Sequence, residues 1–106
     1  MDERLRKVLD ELKTGLAELY GDRLKGVYLF GSCARDEAGE ESDIDVLIVL
    51  DEVDNYSGEI ARTSELIARL SLGCGRSISR VFVSEQRWRE DRTMFILNVR
   101  EEAVPA

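Results

Sequence analysis

The chain has 106 residues, 43% of them hydrophobic, and a formal net charge of -7. This size and apolar content predict one domain, residues 1–106, with one modest core, and the negative charge argues against a broad nucleic-acid-binding surface. No stretch approaches the roughly 20 apolar residues that cross a bilayer, so we expect a cytoplasmic protein without a membrane partner.

Leucines recur at helical spacing along the first segment and predict an amphipathic helix over residues 2–20, with Gly21 as its natural stop. The stripe consists of Leu5, Leu9, Leu12, Leu16 and Leu19. Residues 24–30 are short, apolar and aromatic, which predicts a largely buried strand. We expect a turn at Gly31 and Ser32, then a short helical start over 32–38 capped by Ser32.

The clearest strand is predicted over residues 43–50. All but its two aspartates are apolar, and a strand of that composition has both faces covered. Asp43 and Asp45 stand at its beginning.

The second half of the chain predicts a helix, a strand and a further helix. The first helix covers 57–72, with Ser57 as a candidate N-cap, and the third strand covers 77–83. A turn or short helix over 84–92 carries Trp88, which is interpreted as a core or interface residue. A last helix is predicted over 93–101, followed by a loose tail at 103–106. The side chains expected to face the core are Ile60, Ser64, Ile67 and Leu70 to Leu72 in the first helix, and Phe95, Ile96, Leu97 and Val99 in the last.

Histidine is absent, and Cys33 and Cys74 are the only thiols. Hydrolase mechanisms that pair serine or cysteine with histidine are therefore disfavoured. Without CxxC spacing, the two cysteines indicate neither a zinc site nor a disulfide framework, and both are interpreted as free structural residues. Among the candidate kinds of site, those built on aspartate and glutamate carboxylates remain.

Charge is spread unevenly along the chain. Residues 34–59 hold ten acidic side chains and one basic one, whereas residues 76–100 hold six basic and three acidic ones. Solvated surface is the common interpretation of such runs. The alternative is a metal-attracting centre beside a face suited to an acidic partner or to phosphates.

Two short motifs carry candidate chemistry. A Gly-Ser turn between a strand and a helix start offers backbone N–H groups and a hydroxyl to an anion, although the same pair is also a common turn. Eleven residues after Ser32, alternation along the strand points Asp43 and Asp45 to one side and Ile44 to the other. Two carboxylates so close repel each other unless a cation lies between them, and Mg²⁺ with substrate phosphates meets that need.

The run from Gly31 to Arg35, then Glu37 and Glu40, and the segment 42–49 resemble the Gly-Ser, ten residues, Asp-x-Asp signature of the DNA polymerase β-type nucleotidyltransferases. Within that superfamily, the chain is similar to the minimal nucleotidyltransferases. The resemblance implies an α+β (α/β) fold, with a mixed sheet of about three to four strands and helices packed on it. It also implies that Gly31 and Ser32, with Arg35 as a further candidate, bind the triphosphate, and that Asp43 and Asp45 are catalytic and hold Mg²⁺.

By the same resemblance, the reaction is transfer of a nucleoside monophosphate, AMP from ATP, to an acceptor hydroxyl. The setting that it implies is an antitoxin paired with a HEPN-family toxin, which it adenylylates or binds. A small domain with an exposed strand edge or an apolar C-terminal helix can also pair with itself.

One position departs from the family pattern. Active members usually carry a third aspartate on the following strand, and the aligned residue here is Ser79. A hydroxyl neither holds a second metal nor serves as a base near neutral pH, so catalysis is weak or absent, or Glu85 substitutes from just past the strand. Arg80 is interpreted as an ion-pair partner or a phosphate contact, and Arg35 has the same two alternatives. Three readings stay open, namely an enzyme, a binding-only antitoxin or degenerate nucleotide-binding module, and a pure interaction scaffold.

Overall fold

The computed structural model describes residues 3–34 and 42–106. Within these ranges the elements in chain order are α1 (Glu3–Tyr20), β1 (Leu24–Phe30), β2 (Ile44–Leu50), α2 (Tyr56–Cys74), β3 (Ile78–Ser84), α3 (Glu85–Glu90), α4 (Met94–Glu102) and β4 (Val104–Pro105). A short 3-10 helix, Gly21–Arg23, joins α1 to β1. No helix in the described ranges is both long enough and apolar enough to cross a membrane.

The four strands form one mixed sheet in the order β3-β2-β1-β4. β1 runs antiparallel to β2 and to β4, whereas β2 and β3 are parallel and are connected through α2. A parallel pair needs such a crossover because the chain must return to the end at which it started. The mixed sheet with packed helices that the sequence predicts is confirmed.

Helices cover both faces of the sheet. On one face, α1 and α2 pack against the side chains of β2 that alternate with Asp45, among them Ile44, Val46 and Ile48. On the other face, α3 and α4 cover Leu47 and Val49. β2 is therefore buried on both sides, which is why its sequence is almost wholly apolar.

The core-facing side chains are predicted better for α1 than for α2 and α4. In α1 the first four leucines of the stripe are buried, and Tyr20 replaces Leu19 as the last buried residue. In α2, Leu72 is 86% exposed and Ser64 is exposed, because Glu59, Thr63 and Leu66 turn inward with Ile67 and Leu70. In α4, Ile96 and Val99 are buried as predicted, but Phe95 and Leu97 are exposed.

The expectation of a loose tail is wrong. Val104 pairs with Leu29 and Pro105 with Tyr28 in an antiparallel bridge, and the N–H of Ala106 donates to the carbonyl of Val27 at 3.0 Å. Proline is tolerated here because β4 is an edge strand, where a missing N–H leaves no neighbour unsatisfied.

The N-cap of α2 is Asn55 and not Ser57 as predicted. The Asn55 side chain accepts a hydrogen bond from the N–H of Gly58 at 3.1 Å, and Ser57 lies within the first turn and donates its hydroxyl to Asn55. The sequence offers both residue types two positions apart, and only the backbone path selects between them.

Replacing Asn55 with alanine is expected to lower the free energy of unfolding by about 1 kcal/mol, because a helix N–H loses its side-chain acceptor. Urea unfolding followed by circular dichroism measures the change. Ser57→Ala is the matched control and is expected to change stability by no more than about 0.5 kcal/mol. Equal losses in the two variants would contradict the assignment of the cap to Asn55.

Candidate functional site

The Gly-Ser pair forms a tight turn directly after β1. Gly31 has φ +75°, and the N–H of Ala34 donates to the carbonyl of Gly31 at 3.1 Å. Residues 32–34 are turn residues, so the predicted helical start is not found in this part, and 35–38 lie outside the described residues. Arg35, Glu37 and Glu40 also lie outside them.

Gly31 packs directly against Asp45. Phe30 pairs with Asp45 across the antiparallel β1–β2 ladder, which brings the next residue, Gly31, beside the same carboxylate. A Cβ atom built on Gly31 would collide with Oδ2 of Asp45. Position 31 thus requires glycine for two reasons, namely the positive φ and the close approach of the Asp45 carboxylate.

Asp43 also lies beside the turn. It precedes β2 and is exposed, and its carbonyl accepts a hydrogen bond from the Cys33 thiol at 3.4 Å. Cys33 is a buried free thiol, and Cys74 is free as well, as predicted. The turn therefore contacts the acidic start of β2 at two points, through Gly31 at Asp45 and through Cys33 at Asp43.

Arg76, which the sequence analysis does not single out, ties the same elements together. Its Nε donates to the carbonyl of Ser42 at 2.9 Å, and its Nη2 lies 3.1 Å from Sγ of Cys33. Because β3 runs parallel to β2, the two residues before β3, Arg76 and Ser77, lie beside the start of β2. The predicted third strand over 77–83 places Arg76 directly before it, but no pattern in the sequence shows which strand lies beside it.

Ser79 lies in register with Asp45 on the neighbouring strand and is exposed. It therefore occupies the position beside the aspartates at which the sequence comparison aligned it. Glu85 lies at the opposite end of β3, since Ser84 pairs with Leu50, about 16 Å along the strand from Asp45. Glu85 instead forms an ion pair with Arg89 at 3.2 Å, so the idea that it substitutes for the missing carboxylate is wrong.

Arg80 points to the other face of the sheet from Ser79. Its guanidinium donates to the Thr63 hydroxyl and the Ile60 carbonyl, both at 2.7 Å, and to the Ser64 hydroxyl at 3.2 Å. It thereby fixes α2 on the sheet through neutral acceptors. Both predicted roles, ion-pair partner and phosphate contact, are replaced by this structural one.

A second residue missed by the sequence analysis is Glu102. Its Oε1 accepts a hydrogen bond from the backbone N–H of Gly31 at 3.2 Å, in a partly buried position. The two residues are 71 positions apart, and the contact depends on β4 returning alongside β1. No local pattern in the sequence indicates such a contact.

The donor set at the turn fits Mg²⁺ bound jointly with a substrate. Mg²⁺ keeps several waters and is usually held by one or two carboxylates together with substrate phosphates. Asp43 and Asp45 supply two carboxylates, and among residues 3–34 and 42–106 no cluster of three or more histidine, cysteine or acidic side chains could hold a metal by itself. The chemistry of the donors thus suits a metal that arrives with a phosphate ligand.

A network of ionisable groups with shifted pKa values lies away from the turn, at the other end of β2. Glu59 is buried and accepts hydrogen bonds from Tyr20 at 2.9 Å, Arg23 at 3.1 Å and Arg62 at 3.0 Å. Burial opposes ionisation of Glu59, but these three donors outweigh it and hold its pKa below the ordinary value. Burial, then the contact with Glu59, raises the pKa of Tyr20 to about 12. This network joins α1, α2 and the segment before β1, and we assign it to stability.

Gly31→Ala is expected to lower the free energy of unfolding by about 2–3 kcal/mol, through a strained positive φ and displacement of the Asp45 carboxylate. Gly75→Ala is the matched control, because Gly75 has φ +70° and no heavy atom within 4 Å of its added Cβ. Its loss is expected to be about 1 kcal/mol, from backbone strain alone. Urea unfolding compares the two, and equal losses would show that Asp45 does not press on position 31.

Proteins of known family resemble this chain in sequence. The profile of the nucleotidyltransferase domain family matches residues 9–102. MJ0604 of Methanocaldococcus jannaschii, provisionally named a protein adenylyltransferase, is 38% identical over 80 residues, which cover 76% of this chain and 74% of the relative.

Solved structures show the same fold. One provisionally described as a minimal nucleotidyltransferase has a TM-score of 0.69 and 27% identity, and the match covers 100% of this chain and 97% of that one. A crystal structure of a toxin-antitoxin with AMP-PNP has a TM-score of 0.64 and 22% identity, covering 91% of this chain and 69% of that one. At 22% identity the second likeness concerns the fold alone. The polymerase β-like fold expected from the sequence is confirmed by the first.

Proposed function

Because the chain belongs to the nucleotidyltransferase domain family, we propose that it transfers AMP from ATP to a hydroxyl group of a protein partner. The observation that carries this proposal is the packing of the Gly31 turn against the Asp45 carboxylate. A phosphate-binding turn and a metal-binding carboxylate must lie side by side to hold one metal-bound triphosphate between them.

Each residue has a distinct task in this proposal. The backbone of Gly31 and the N–H and hydroxyl groups of Ser32 bind phosphate oxygens, as the donors of a tight turn can do. Asp43 and Asp45 would hold Mg²⁺, which neutralises triphosphate charge when bound. The turn and the aspartates orient the α-phosphorus toward the incoming hydroxyl. Arg35 stays a predicted further phosphate contact.

The protein acceptor is proposed from the relatives. MJ0604, at 38% identity, carries the provisional name of a protein adenylyltransferase, and a toxin-antitoxin with AMP-PNP has the same fold. We propose that the chain acts as the antitoxin of a HEPN-family toxin and modifies a hydroxyl of that partner. The surplus of basic residues over 76–100 does not form one surface for an acidic partner, because Arg76, Arg80 and Arg100 donate to Ser42, Thr63 and Trp88 within the chain.

A binding-only antitoxin is the second candidate, and one observation favours it. The residue in register with Asp45 on β3 is Ser79, so no carboxylate stands beside Asp45 on that strand. A hydroxyl cannot accept the acceptor's proton near neutral pH. In this alternative, nucleotide and toxin both bind, but no AMP is transferred.

The test is to incubate the chain with Mg²⁺, ATP labelled at the α-phosphate and the protein encoded by the neighbouring gene. Label on that partner, dependent on Mg²⁺ and on Asp45, is the expected result. Neutralisation of the toxin without label transfer would support binding alone. If neither ATP nor the partner binds, both candidate functions are wrong.

A further inference from the structure

The acceptor bound to Gly31 is an acidic side chain from the far end of the sequence. Glu102 is the last residue of α4, and its Oε1 lies 3.2 Å from the Gly31 nitrogen. That N–H belongs to the turn that the proposed function assigns to a phosphate. A side-chain carboxylate therefore lies where a substrate anion is expected.

The stability of α4 does not account for this placement. A helix carries a partial negative charge at its C-terminus, where a carboxylate is disfavoured and a basic residue is preferred. The last turn of α4 does contain Arg100, but that side chain donates to the carbonyls of Trp88 and Asp91. Glu102 is instead positioned by β4, whose Val104 pairs with Leu29 two residues before Gly31.

A carboxylate and a phosphate are equivalent acceptors for this donor. Both present an anionic oxygen, and charge-assisted bonds to a backbone N–H are stronger than neutral ones. The Gly31 N–H points at one acceptor at a time in this geometry, and the nearby Asp45 adds a second negative charge that opposes any further anion.

We propose that Glu102 is an internal competitor for the phosphate-binding turn, so that a nucleoside triphosphate must displace its carboxylate from the Gly31 N–H in order to bind. Glu102 thereby sets the affinity for the nucleotide. The ligand class that displaces it is a polyphosphate anion accompanied by a divalent cation, since the cation offsets the charges of Asp43 and Asp45. This inference rests on the proposed function, because it takes Gly31 as a phosphate contact.

The experiment is isothermal calorimetry of ATP with Mg²⁺ binding to the wild type, Glu102→Gln and Glu101→Gln. Glu101 is the adjacent, exposed residue of α4, so its variant removes the same charge without touching Gly31. Glu102→Gln is expected to bind ATP about five- to tenfold more tightly than the wild type, because a neutral amide oxygen is a weaker competitor. Glu101→Gln is expected to change the affinity by less than about twofold.

Three outcomes would overturn the inference. Equal affinities of the two variants for ATP would show that only the loss of one negative charge matters, wherever it lies. Weaker binding by Glu102→Gln would show that Glu102 helps to bind the ligand. If none of the three proteins binds ATP, the proposed function itself is wrong. Glu102→Asp keeps the charge but shortens the side chain by one methylene, so it is expected to bind ATP more tightly as well, and it replaces the glutamine variant if that one fails to fold.

Discussion

Replacing Asp45 with asparagine is expected to slow AMP transfer by about a thousandfold, a loss typical of removing one charged group from a transition-state site. Asparagine keeps the shape of the side chain but lacks the negative charge that would hold Mg²⁺ and its triphosphate. The size is also preserved next to Gly31, so the fold should survive. Incorporation of label from ATP into the partner measures the rate, and far-UV circular dichroism checks the fold.

Asp54→Asn is the matched control for Asp45→Asn. Asp54 is an exposed acid in the loop after β2, at the other end of that strand, and its replacement removes the same charge. We expect transfer to stay within about twofold of the wild type, since screened charges at that distance have little effect. Full activity in Asp45→Asn would show that Asp45 does not hold the metal and would remove the central residue of the proposal.

Replacing Glu59 with glutamine is expected to lower the free energy of unfolding by about 2 kcal/mol at pH 7. Removing one partner of a buried ion pair costs about 3–5 kcal/mol, but Arg23 and Arg62 are partly exposed, so solvent screening reduces the loss. The glutamine retains an acceptor for Tyr20, whose hydroxyl donates to Glu59 at 2.9 Å. Urea unfolding at constant ionic strength gives the difference.

The wild type and Glu59→Gln also test how the free energy of unfolding depends on pH. The pKa of Glu59 is lower in the folded chain than the ordinary 4.5. Its ionised form therefore contributes stability that is fully present above pH 4.5 and is lost as the pH falls through the lower, folded pKa. We expect the gap between wild type and Glu59→Gln to be constant from pH 7 to about 5.5 and to shrink below 4.5.

Glu65→Gln is the control for both measurements, because Glu65 is exposed on the same helix. Its replacement is expected to change stability by less than about 0.5 kcal/mol at any pH in this range. A gap between wild type and Glu59→Gln that stays the same down to pH 3 would contradict the ionised network around Glu59.

Local patterns predicted most of the regular structure. The leucine spacing predicts α1 well because that helix packs against the core on one face only. The apolar run predicts β2 well because that strand is covered on both faces. Patterns failed where polar side chains turn inward. Glu59 and Thr63 occupy the inner face of α2 because Tyr20, Arg23 and Arg80 satisfy them, and no periodicity of hydrophobic residues records such partners.

The motif predicted which residues of the site lie together, and the sheet register explains why. Gly31 follows the residue that pairs with Asp45, so two short motifs that are separate in sequence become neighbours across one antiparallel ladder. Arg76 and Glu102 escaped prediction because their contacts depend on strand order and on the return of β4, which are properties of the whole sheet.

The short strand β4 has a mechanical consequence for the molecule. Residues 104–106 cover the outer backbone groups of β1, and the carbonyl of Ala106 also accepts a hydrogen bond from Lys13 at 2.8 Å. Cutting residues 104–106 away from the chain would turn β1 into an uncovered edge, a template on which a second chain can add a strand. The same cut would release the anchor that keeps α4 next to the glycine turn, so self-association and altered ligand affinity would arise together.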